Sequence, residues 1–158
     1  MFEDVAREPA MRLFIASAIF IVVGGSAQAT GGISCEAEDR ATRIRLDAGV
    51  TSGMGAPIFA FAGKTEISDE RVPADLRTTD FAREHVAQYW LDNQELKLLL
   101  YREREDAAEH GYVEATVTTR GDGAGTYKGD YALTAYTVGR SGEGTTISLR
   151  GKILCEVE

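Results

Sequence analysis

Two hexapeptides built on one pattern, ISCEAE at residues 33–38 and ILCEVE at residues 153–158, contain the only two cysteines of this 158-residue chain. In an extended backbone, where side chains alternate between faces, Cys35 shares a face with Ile33 and Ala37, opposite Ser34, Glu36 and Glu38. The same period of two runs through residues 145–157. Ile147, Leu149, Gly151, Ile153, Cys155 and Val157 oppose Thr146, Ser148, Arg150, Lys152, Leu154 and Glu156, with only Leu154 breaking the alternation. Both cysteines therefore lie on the apolar faces of strands. A disulfide needs their Cα atoms within about 7 Å, so a Cys35–Cys155 bridge makes the first and last strands neighbours. A closed barrel, or a sandwich with adjacent termini, meets that condition.

The segments between speak the same grammar. TRIRLD at residues 42–47 sets Ile44 and Leu46 against Arg43, Arg45 and Asp47, while IFAFA at 58–62 and residues 64–68 flank Gly63. Residues 112–120 and 126–138 are rich in threonine, tyrosine and valine, which suit a half-buried pleated surface. The glycine clusters at 121–125 and 139–144 read as the hairpin turns between them. Residues 79–109 contain enough helix formers to be one long helix, but Asp92-Asn93-Gln94 resembles a turn and Leu96, Leu98 and Leu100 alternate, which favours a hairpin. Pro73 begins a short helix or irregular segment near residues 73–83. The expectation is a mainly β fold, a small antiparallel β-barrel or sandwich closed by the Cys35–Cys155 disulfide.

The first 29 residues have a different character. Residues 13–23 (LFIASAIFIVV) are uncharged and apolar, preceded by Arg7 and Arg12 and followed by the small-residue stretch ending Ala27-Gln28-Ala29. That order describes a secretory signal peptide cleaved after Ala29, and the run is shorter than the roughly 20 residues a membrane span needs. Glu3, Asp4 and Glu8 sit awkwardly in a basic leader, so Met11 is a candidate true start. The reading is of a periplasmic or secreted protein with a single domain over residues 30–158 and no membrane span in its mature form. Export also supplies the oxidising compartment a disulfide requires.

The chain carries a net charge of −8. Residues 1–29 hold three carboxylates and two arginines, a net −1, so the mature protein would carry −7. That sign argues against nucleic acid and anionic membranes as partners and is compatible with a basic protein or a cationic ligand.

The search for chemistry returns little. Two cysteines and the distant His85 and His110 have no zinc spacing. Gly139-Arg140-Ser141-Gly142 approaches a nucleophile elbow, but Glu143 replaces its last glycine and strands flank it on both sides. Gly121, Gly123 and Gly125 are followed by a strand where a dinucleotide site needs a helix, and Asp122 and Asp130 lack calcium-loop spacing. No cofactor is implied. The most varied cluster is His85, Gln88, Tyr89 and Trp90. Aromatic residues ordinarily pack, so Trp90 and Tyr89 are first expected in the core and rim; otherwise the four residues line a ligand pocket. Three functions follow: a non-enzymatic binding module for a small molecule or an envelope protein; a hydrolase or isomerase whose acid and base, Glu84 and His85 or Glu103 and Glu105, converge in space; and a structural envelope protein.

Overall fold

A computed structural model describes residues 30–51, 58–105 and 109–158. The expected signal peptide, with Met11, lies outside the described residues, as do residues 52–57 of the 50–57 segment, which the sequence offers as a binding surface if Trp90 is a core residue. The chain forms β1 (Thr30–Glu38), β2 (Thr42–Thr51), β3 (Ile58–Ile67), α1 (Ala74–Arg77), β4 (Thr78–Ala82), a 3-10 turn (Arg83–His85), β5 (Val86–Leu91), β6 (Glu95–Glu103), β7 (Gly111–Gly121), β8 (Thr126–Val138) and β9 (Gly144–Val157).

The nine strands make one antiparallel sheet in the order β4-β3-β2-β1-β9-β8-β7-β6-β5, curled into a nearly closed barrel. Following the antiparallel pairings around it, β4 and β5 run in the same direction, with only the three-residue turn between them. They act as the two halves of one bent stave: the first half pairs with β3, the second with β6. A closed all-antiparallel barrel needs an even number of staves, and this bend supplies it. Side chains bridge the seam, where Arg83 Nε donates to the Ile58 carbonyl at 3.2 Å and Arg102 donates to the Asp80 carbonyl.

The other closure joins β1 to β9 through four residue pairs, from Ile33↔Val157 to Glu36↔Leu154. Cys35 and Cys155 are directly opposed there, both fully buried, bridged, and 4.0 Å apart at Cα. The bridge thus lies across the shortest strand pairing in the barrel, where backbone hydrogen bonds alone contribute least.

Alternation fills the interior. Ile33, Cys35 and Ala37 of β1, Ile44 and Leu46 of β2, Leu96, Leu98 and Leu100 of β6, and Val113, Ala115 and Val117 of β7 are all buried. Val72 and Leu76, beside and within α1, join the same core. In β3 the alternation slips. Ala60 takes a positive φ of 48° where the β2–β3 register shifts, and this bulge lets both Ile58 and Phe61 point inward. The β7–β8 and β8–β9 turns use Gly125 and Gly142 at φ of 94° and 83°, a conformation side chains resist.

Three expectations are sharpened. The barrel replaces the sandwich alternative. The described part of residues 79–109 holds most of β4, the 3-10 turn and the β5–β6 hairpin rather than a long helix. Near residues 73–83 the helix is four residues long, and Thr78–Ala82 form strand β4.

Candidate functional site

Trp90 is not a core residue. It is 56% exposed, on the outer face of β5 near the hairpin turn. Strict alternation from His85 would put Tyr89 and Leu91 opposite Val86, but the register shifts between Val86 and Gln88. That bulge at Ala87 lets Val86, Tyr89 and Leu91 all pack toward the core while Gln88 and Trp90 face out.

The turn fixes the indole. Asp92 Oδ1 accepts the backbone N–H groups of Gln94 and Glu95, each at 2.7 Å, and its Oδ2 accepts the Trp90 Nε1–H at 3.0 Å. These bonds, led by the two backbone donors, hold the Asp92 carboxyl below its usual range. The Asp92 carbonyl also accepts the Tyr127 hydroxyl at 2.7 Å, which anchors the hairpin end to β8. The exposed tryptophan therefore stands on a braced turn.

Register builds a groove beside it. Trp90 lies opposite Lys97, which lies opposite Thr118; Gln88 lies opposite Leu99, which lies opposite Thr116. With Arg83 at one end, these side chains border an open groove of about 660 Å³ across β5, β6 and β7. Leu99 is the apolar side chain at its centre, flanked by Thr116 and Thr118. The groove's polar groups are the Gln88 amide, the threonine hydroxyls, Lys97 (held by Glu95 at 2.6 Å) and Arg83, whose guanidinium sits 6.0 Å from the Tyr89 ring centroid.

Of the four residues singled out in the sequence, Gln88, Tyr89 and Trp90 border the groove, and His85 does not. His85 Nδ1 accepts the Ala82 N–H at 2.8 Å, and its ring meets Phe81 edge-on at 6.2 Å, so it holds the bend between β4 and β5. Arg83, Lys97, Leu99, Thr116 and Thr118 were not anticipated. Counting outward from the Asp92–Glu95 turn pairs Trp90 with Lys97, so part of the groove was within reach of the sequence.

Two of the carboxylates considered for acid/base work have other engagements: Glu103 accepts the Tyr101 hydroxyl at 2.8 Å, and Glu105 pairs with Arg102 at 3.1 Å. Ser141 is in the exposed β8–β9 turn. Asp122 braces the β7–β8 turn through the Ala124 and Thr126 N–H groups, and Asp130 pairs with Lys152. Among the described residues no group of three or more His, Cys, Asp or Glu side chains gathers to hold a metal ion, and no helix is long and apolar enough to cross a membrane. No family model, curated protein or solved structure matches the chain.

Proposed function

We propose that this protein is an exported, non-enzymatic binding module whose ligand lies in the groove beside Trp90. The observation that carries the reading is the exposed indole of Trp90, held in place by Asp92 over an outer-face groove rather than packed inside. Exposing the chain's one tryptophan forgoes the burial that a large aromatic ring ordinarily gains. A ligand stacked on it would recover that gain, while Gln88, Arg83 and the groove threonines would orient its polar groups. Export is supported by the leader-like first 29 residues and by the disulfide.

Native mass spectrometry of the protein purified from the periplasm of its own source tests this. The wild type should retain a bound mass that is absent from folded Trp90→Ala. Loss of no mass on that substitution, or a wild type that carries none, would defeat the reading.

A further inference from the structure

A second surface lies at the other end of the same outer face. Tyr101 of β6, Tyr112 of β7 and Tyr136 of β8 form a row, with ring centroids 5.2 Å apart at each step and Tyr112 and Tyr136 stacked at 28°. His110 closes the row at 6.0 Å from Tyr112 and 5.8 Å from Tyr136. Tyr136 lies over Gly144, where a Cβ would come within 2.5 Å of its hydroxyl, so the absent side chain lets the ring lie down on the sheet.

Register interleaves these rings with carboxylates: Tyr101 is opposite Glu114, and Glu103 is opposite Tyr112. Neither glutamate has a cationic side chain within 4.0 Å among the described residues, whereas Glu36, Glu38, Glu66, Glu95 and Asp130 on the outer face each have one. The cations at this end are held by other carboxylates: Arg102 by Glu105 at 3.1 Å, Arg104 by Asp75 at 2.6 Å, and the exposed Arg140 lies 4.0 Å from Glu109. The Tyr101 phenol, pushed up to about 12 by burial first and then by its bond to Glu103, stays protonated beside that carboxylate.

We propose that this tyrosine–glutamate checkerboard is a docking surface for an arginine-bearing segment of a partner polypeptide. A guanidinium is planar, stacks on aromatic faces and forks onto carboxylates, so one arginine satisfies a ring and its opposed glutamate together. A lysine offers a point charge and matches only the carboxylate. The row spreads over three adjacent strands, an extent that suits a polypeptide rather than a small ligand. The chain's net charge of −8 complements a basic partner.

The test is calorimetric titration of the folded protein with hexa-arginine and hexa-lysine peptides at physiological ionic strength. Hexa-arginine should bind clearly more tightly, and Glu103→Gln/Glu114→Gln should weaken it about tenfold, as loss of paired charges at an interface does. The control Glu36→Gln/Glu156→Gln removes the same charge near the far end of β1 and β9, roughly 30 Å along the strands, and should leave binding unchanged. Trp90→Ala should also leave it unchanged, which separates this surface from the groove. No binding, equal binding of the two peptides, or an equal loss in the control would overturn the proposal.

Discussion

Replacing the bridge with Cys35→Ala/Cys155→Ala tests how the barrel is closed. The two strands it joins share only four residue pairs, and the bridged residues are 120 apart in sequence. Constraining the unfolded chain over that span contributes about 16 cal/mol/K in the chain-entropy model, or about 5 kcal/mol at 25 °C. Both cysteines are fully buried, so truncation to alanine adds a packing loss to the entropic one. Many small domains have only 5–15 kcal/mol of stability, so the variant should be marginal. Urea denaturation followed by far-UV circular dichroism measures the loss. The m-value should also rise, because an unfolded chain freed of its cross-link exposes more surface. A loss below about 2 kcal/mol, the low end for such bridges, with an unchanged m-value would refute the claim that the disulfide acts by restraining a chain in which β1 and β9 meet.

Thr65→Val should raise stability by about 1 kcal/mol in the same assay, because the fully buried Thr65 hydroxyl has no hydrogen-bond partner among the described residues and its removal ends a desolvation cost; destabilisation would contradict this. Trp90→Ala should cost less than about 1 kcal/mol, since a surface side chain leaves no cavity, whereas a loss of 3–5 kcal/mol would return Trp90 to the core. Stability should also fall in acid. Asp39, Asp92 and Asp122 all have native values below the ordinary range, Asp39 first through the Tyr131 hydroxyl and the other two through turn N–H groups. Their contribution is complete above the unfolded value of about 3.9 and is lost as pH drops through the native values. A melting series from neutral pH downward should decline below about pH 4, and Asp92→Ala should make that decline shallower; an identical acid profile in the variant would contradict the role given to Asp92.

Much of this architecture was legible because a half-buried strand writes its burial into a period of two. The cysteine hexapeptides gave the β1–β9 neighbours, and the alternation of Leu96, Leu98 and Leu100 decided for the hairpin over a helix whose local propensities were equally good. What escaped were the places where the period breaks. Strand β4 was hidden because Thr78–Ala82 gains its identity from pairing with β3, a long-range partner that no local pattern announces. The Ala87 bulge moved Trp90 to the outside, although an aromatic residue beside Tyr89 in a short strand reads first as packing. His85 looked chemically available until the bend placed its Nδ1 on the Ala82 N–H. The tyrosine row was invisible for a related reason: its members come from three strands, and only the register sets them side by side.

Acrylamide quenching of the Trp90 fluorescence tests the proposed site most directly, because no second tryptophan contributes signal. Protein stripped of small molecules by reversible unfolding should quench as an exposed indole does. Protein purified gently from its own source should be shielded, and adding back the released ligand fraction should restore the shielding. An indole shielded equally in both preparations, or exposed equally in both, would contradict the account.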